Sequence, residues 1–234
     1  NRCFPGSTQG SLAARLAHIF MTEIVKRSDV GIDLHSAAIN RTNLPQIRIS
    51  PAMPRTMELA EAFGAPLILT SKTREGSLRY TAQEAGVDVL LYEAGEGLRF
   101  DEFAIRAGVT GIMRVMRHLE MLPAKDITRP RTPPMKSRSS YWMRAPAGGL
   151  MRSYKTIGDQ VMAKDVLGVI ADPFGEVEIE LVVEEPGLIV GRTNLPVVNE
   201  GDGLFHIAAD AESTLDNMAL EFEADPTFDE DEII

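Results

Sequence analysis

One cysteine, Cys3, serves the whole 234-residue chain, which excludes an internal disulfide and suits a reducing compartment. No apolar run approaches the ~20 residues needed to span a bilayer, and no charged, apolar, small-residue succession marks a secretory signal. The expectation is a cytoplasmic protein with no membrane partner. Positive charge is not in surplus either: 24 Lys and Arg stand against 34 Asp and Glu, for a net charge of -10. Ten of the acidic residues fall between Asp210 and the end, where there is no Lys or Arg, so the rest of the chain is formally neutral. A neutral body has no electrostatic footprint for nucleic acid, and residues 210–234 read as an acidic, solvated tail.

What is present is enough for real cores, with 44% hydrophobic residues in a length that suits one large or two modest domains. The turn Asn1-Arg2-Cys3-Phe4-Pro5-Gly6 precedes a helix capped by Ser11 and running to about Arg27, with Leu12, Leu16, Ile19, Phe20 and Ile24 on one stripe. Strand Val30 to Leu34 follows. The polar, turn-rich span Ser36 to Pro54 reads as a long loop beside the strand end. Then come helix Arg55 to Phe63, strand Pro66 to Thr70, helix Ser77 to Glu84, strand Val87 to Tyr92 and a helix from about Phe100 to Leu122. Strands apolar on both faces and alternating with helices argue an α/β sheet covered on both sides.

The composition changes at Pro123. Residues 123–140 are rich in proline and basic residues and read as a linker, which closes a first α/β domain at 1–122. Beyond it, short β-like runs alternate with glycine turns over 141–209, which predicts a small β-sandwich or half-barrel. Its glycine pattern is similar in shape to biotinyl and lipoyl carrier domains. Lys155 and Lys164 lack the hydrophobic hairpin tip a carrier lysine needs, so the shape is kept and the carrier function is not.

Two strand ends carry the chemistry. Asp33-Leu34-His35 closes the first strand and Tyr92-Glu93-Ala94-Gly95 closes Val87 to Leu91, the place where open α/β sheets keep their sites. Taken alone, a histidine ending an apolar strand is more often a hydrogen-bonded structural residue than a ligand. Glu93 is harder to dismiss, because a carboxylate after an apolar run is costly to bury unless it is paired or used. Gly95 and Gly97 let backbone or substrate come close. His18, His118 and His206 read as a helix-surface, a helix-end and a strand residue without chemistry.

Asn1-Arg2-x-Phe4-Pro5-Gly6, Asp33-Leu34-His35, Glu93-Ala94-Gly95 and the glycine-patterned β half occur in this order along nearly the whole chain. In this the chain resembles the succinylglutamate desuccinylase and aspartoacylase family, zinc deacylases related in fold to zinc carboxypeptidases. The resemblance implies a mixed sheet flanked by helices and followed by a smaller all-β domain. It also implies a zinc-dependent amidohydrolase that removes an acyl group from an N-acyl amino acid or similar small carboxylate. His35 would be a zinc ligand, Asp33 its neighbour, and Glu93 the general base that takes a proton from zinc-bound water and passes it to the departing amine. Asn1 and Arg2 would hold the carboxylate of a small anionic substrate, and Arg79 would stand near the reacting carbonyl.

A catalytic zinc takes three protein ligands and a water, and in this family the other two come from a His-x-x-Glu pair ahead of Asn-Arg. The residues three positions after His18, His35, His118 and His206 are Met21, Ala38, Met121 and Ala209, so one ligand of three is recognisable. The expectation is an N-terminal truncation, and on that reading these 234 residues bind zinc poorly and hydrolyse slowly or not at all. The alternative is a metal-free binding or scaffold protein that keeps the deacylase fold. A homo-oligomer is compatible with the sequence.

Overall fold

The computed structural model describes residues 2–123, 125, 127, 130 and 132–209; Asn1 and the acidic tail 210–234 lie outside the described residues. Helix α1 spans Leu12–Glu23, its first turn capped by the Ser11 hydroxyl accepting from the Ala14 N–H at 3.2 Å, and a single 3-10 turn, Val25–Arg27, follows. Next are β1 (Val30–His35), β2 (Arg41–Ile49), α2 (Arg55–Phe63), β3 (Leu67–Thr70), α3 (Leu78–Glu84), β4 (Asp88–Gly95) and α4 (Glu102–His118). The second half is all strand: β5 (Met135–Ser137), β6 (Ser139–Arg144), β7 (Gly149–Ser153), β8 (Gln160–Val161), β9 (Val166–Ala171), β10 (Glu178–Val182), β11 (Gly187–Thr193), β12 (Val197–Val198) and β13 (Gly203–Ala209). No helix of the described residues is long and apolar enough to cross a membrane.

The larger sheet is mixed, as expected for the fold class, with nine strands in the order β1-β4-β2-β11-β13-β6; β3 and β5 branch from β2, and β8 pairs with β11. Period-2 alternation on β4 sorts the cover. Leu90, Tyr92 and Ala94 pack against Phe63 of α2 and Val115 of α4, while Val87 and Val89 turn the other way onto Met21, Val25 and Ala82 from the α1 and α3 side. Glu93 shares the parity of Val87 and Val89, so it points to the face on which α3 lies. In the second half, β10-β9-β7-β12 form a separate four-stranded sheet, and a core around Leu167, Ile170, Leu181, Ile189, Phe205 and Ile207 fills the space between the two sheets.

Two expectations are corrected. The span read as a long loop contains β2, which lies inside the sheet and pairs with β4, β3 and β11. Its register against β4 shifts between Asn43 and Gln46, around Pro45, which has no N–H to give a ladder. The partner on its other edge changes at the same place, from β11 at residues 41–43 to β3 at 46–49. A proline is therefore accommodated inside a sheet at an irregularity, and β2 becomes the strand on which the two halves of the molecule meet. The α1 stripe is the second correction. Leu12, Leu16, Ile19, Phe20 and Ile24 are 39% to 66% exposed, and the helix packs instead through Ala17 and Met21, with Val25 just beyond it. Met135–Ser137, inside the span read as a linker, pairs in parallel with β3.

Candidate active site

β1 and β4 run parallel in a register that sets His35 directly beside Glu93 and Asp33 beside Leu91. Paired residues of neighbouring strands share a face, so the two sequence-predicted groups stand side by side. Asp33, two residues before His35, lies on that face too, and its Oδ2 is 3.2 Å from His35 Nε2. That hydrogen bond is the main cause holding the His35 imidazolium pKa above its ordinary value; burial works against it, and the charges of Asp33 and Glu93 add to it.

Glu93 is held from its other side by two residues of β2. Arg48 Nη2 forms an ion pair with Glu93 Oε2 at 3.0 Å, and Asn43 Nδ2 donates to the same oxygen at 3.2 Å. Glu93 Oε1 has no partner among the described residues. Neither Arg48 nor Asn43 was identified from the sequence, because both lie in the span read as a loop. The alternation Gln46-Ile47-Arg48-Ile49 was the available signal: it places Ile47 and Ile49 in the helix-covered core and Arg48 on the opposite face.

Arg79 reaches the same face from α3, whose first turn is capped by Ser77 accepting from the Tyr80 N–H at 3.2 Å. Arg79 Nη2 donates to Ser71 Oγ at 3.3 Å, and Nη1 is buried without a partner. Its pKa is lowered first by burial and then by the charge of Arg48, with Glu93 and Asp33 pulling the other way. Arg79, Arg48, Glu93, Asp33 and His35 thus form one electrostatically connected group. Arg48 Nε and Gln46 Oε1 are also buried without partners.

The remaining predicted residues lie differently. Arg2 lines a cavity of about 590 Å³ with Phe4, Glu75, Tyr80 and Glu84, and the Phe4 N–H donates to Gly76 O at 3.0 Å, so this segment is fixed against the loop leading into α3. Asn1 is not among the described residues. The glycines after Glu93 do admit a close backbone. The Ala37 N–H donates to Gly95 O at 3.3 Å, and a Cβ on Gly97 would be 2.9 Å from Ala37 O. Glu96 secures the same loop, accepting from the Asn40 N–H at 2.8 Å and from Asn194 Nδ2 of the second half at 3.0 Å.

A zinc, as the resemblance implies, would find one fitting donor here. His35 Nε2 faces Asp33, which leaves Nδ1 for a metal and the carboxylate as the outer partner that orients the ring, the usual arrangement for a histidine ligand. No group of three His, Cys, Asp or Glu side chains able to hold an ion is found among the described residues. The residues described therefore fit one coordination position and not a complete site.

The family model for the succinylglutamate desuccinylase/aspartoacylase catalytic domain matches residues 1–119. The N-alpha-acetyl-L-2,4-diaminobutyric acid deacetylase of Halomonas elongata is 25% identical over 225 residues, which are 91% of this chain and 66% of that protein. The crystal structure of a succinylglutamate desuccinylase/aspartoacylase from Rhodobacter sphaeroides superposes with a TM-score of 0.77 at 26% identity, covering 90% of this chain and 67% of that one. The product-bound ectoine utilization protein EutE of Ruegeria pomeroyi shares the fold, with a TM-score of 0.79 at 19% identity over 89% of this chain and 67% of its own. The chain spans about two thirds of the length of these relatives. It belongs to the succinylglutamate desuccinylase/aspartoacylase family.

Proposed function

We propose that this chain carries the His35 and Glu93 portion of a zinc-dependent amidohydrolase that cleaves the amide of an N-acyl amino acid or similar small carboxylate, in the cytoplasm. The observation that supports this best is the side-by-side register of His35 and Glu93, with Glu93 held through one oxygen only. Membership of a deacylase family and a relative named as an N-acetyl-diaminobutyrate deacetylase support the reaction class. Zinc, when bound, makes water acidic enough to attack at neutral pH and polarises the carbonyl.

The residues of this chain supply the proton traffic and the anchoring. Glu93 Oε1 accepts a proton as water attacks the amide carbon, and returns it to the nitrogen as the C–N bond breaks. The unpartnered Arg79 Nη1 donates to a substrate oxygen, since a buried guanidinium N–H without an acceptor is costly until something negative meets it. Arg2 and Asn1 take the substrate carboxylate, the planar fork of arginine being suited to that group. His35 would give its Nδ1 nitrogen to the metal.

Metal analysis of the protein, with a screen of N-acyl amino acids for amine release, tests this. The expected result is about one zinc per chain, as a single catalytic site requires, and hydrolysis of at least one N-acyl amino acid. The single fitting donor among the described residues favours a second reading, a metal-free binding or scaffold protein. Zinc-free protein that releases no amine would establish it.

A further inference from the structure

We infer that Arg48 and Asn43 are positioning residues that clamp Glu93 by one carboxylate oxygen so that the other is presented for proton transfer. This rests on the reading of Glu93 as the base.

The clamp follows from the strand register. β2 runs antiparallel to β4, with Gln46 opposite Glu93, Arg48 opposite Leu91 and Asn43 opposite Gly95. Arg48 therefore reaches Glu93 from one side along the strand axis and Asn43 from the other, and both end on Oε2, at 3.0 and 3.2 Å. An ion pair and a hydrogen bond converging from opposite directions on one oxygen fix the rotation of the carboxyl plane, which the ion pair alone would leave free. The irregularity at Pro45 brings Asn43 within reach, because a regular ladder would keep residues 43 and 46 on opposite faces.

The clamp is itself supported. Asn43 packs over Gly191 of β11, where a Cβ would be 2.7 Å from Asn43 Oδ1; the missing side chain lets the amide lie there with Nδ2 turned to Glu93. Gln46, opposite Glu93, is fully buried and donates to Val190 O at 3.2 Å, so the strand behind the clamp is tied to the second half of the molecule. In the reaction the water oxygen bonds to the amide carbon while its proton goes to Oε1. That proton then passes to the nitrogen as the C–N bond breaks. Oε2 keeps both of its partners throughout, and the carboxylate moves the proton without turning.

Arg48→Met and Asn43→Ala, each in the wild type and in Glu93→Gln, test the clamp with an N-acetylated amino acid as substrate. The expected result is a kcat reduced by roughly 100-fold for Arg48→Met, the scale of a catalytic group displaced by about 1 Å, a smaller loss for Asn43→Ala, and little change in KM. In the Glu93→Gln background neither substitution lowers kcat further, and Arg48→Lys, which restores a cation without the fork, recovers part of the rate. A crystal structure of Arg48→Met gives a readout independent of turnover: Glu93 Oε2 leaves its present position. The inference is overturned if Arg48→Met acts mainly on KM, costs as much with Gln at position 93 as with Glu, or leaves the Glu93 carboxylate in place. Should Arg48→Met not fold, Asn43→Ala decides by the same criteria. A wild-type rate in Glu93→Gln would instead remove the base reading itself, a different failure from normal Arg48→Met turnover alongside an inactive Glu93→Gln.

Discussion

His35 and His206 sit on one face of the same sheet, near its two ends, and their surroundings differ in kind. His206, on β13, is 5% exposed. Its Nε2 is 2.9 Å from Ser140 Oγ, its ring stacks on Trp142 with centroids 4.8 Å apart, and Arg41 covers the indole from 4.9 Å. At the His35 end, on β1 and β4, the valences are not filled: His35 Nδ1 and Glu93 Oε1 have no partner among the described residues, and Arg48 Nε and Arg79 Nη1 are buried without one. A polar cluster that fills its own hydrogen bonds specifies a fold. One that leaves buried donors without acceptors stores a cost that a ligand relieves. The row His35, Glu93, Asn43, Gly191, His206 passes from the second kind to the first across the sheet.

Glu93→Gln makes the sharpest break at the open end. On the proposed reading of Glu93 as the general base, the substitution lowers kcat by roughly 10²–10⁴-fold, while the thermal midpoint stays near that of the wild type. His206→Asn, the matching change at the closed end, disturbs stability far more than turnover. Comparable losses of kcat from both substitutions would erase the distinction between the ends.

How much of this was legible in the sequence follows the same division. Helix α2, Arg55–Phe63, is legible with its observed bounds, and the cap at Ser11 is visible because a cap is a local signal of one side chain and one N–H three residues on; Ser77, read as the first helical residue, proves to be the cap of α3. His35 and Glu93 were legible because each ends an apolar run. Their pairing in one centre was legible too, but not the register that makes it, since register between strands more than 50 residues apart depends on the whole sheet. Arg48 and Asn43 were lost with β2, where Pro45 and the polar Gln46 masked a strand whose polar face lines the site. The α1 stripe misled in the opposite sense. Its periodicity is real, but the described residues pack against Ala17 and Met21 instead, and periodicity reports a face without naming what covers it.

Acid should expose the closed end next. Burial pushes the His206 pKa down to about 4, helped by the charge of Arg48, against about 6.5 in the unfolded chain. As pH falls through 6.5 the unfolded chain takes up this proton first, which favours unfolding. The contribution of neutral His206 is therefore complete above pH 6.5 and is lost progressively down to pH 4. At 1.36 kcal/mol per unit the loss is about 3 kcal/mol. Urea titrations between pH 7 and 4 read it directly, and His206→Asn should flatten the slope in that window. An unchanged slope would mean that His206 is not held neutral by its surroundings, and the closed end would lose its defining property.

Gly191→Ala has the smallest expected effect and addresses the seam between the two ends. A Cβ there would stand 2.7 Å from Asn43 Oδ1 and 3.4 Å from His206 Cβ. The tighter contact is with the far end of a flexible amide, so Asn43 yields before the backbone does, and the stability cost should stay near the low end of overpacking, about 1 kcal/mol. Turnover should respond more than stability suggests. Displacing Asn43 removes one of the two partners of Glu93 Oε2, and a carboxylate freed to rotate is expected to lower kcat roughly tenfold, while the His206 acid transition stays where it was. A fall in stability with kcat intact would place Gly191 wholly in the closed end. A fall in kcat with the acid transition unmoved would show that the open end begins at Gly191, and that a glycine in the second half of the molecule helps set the position of the base.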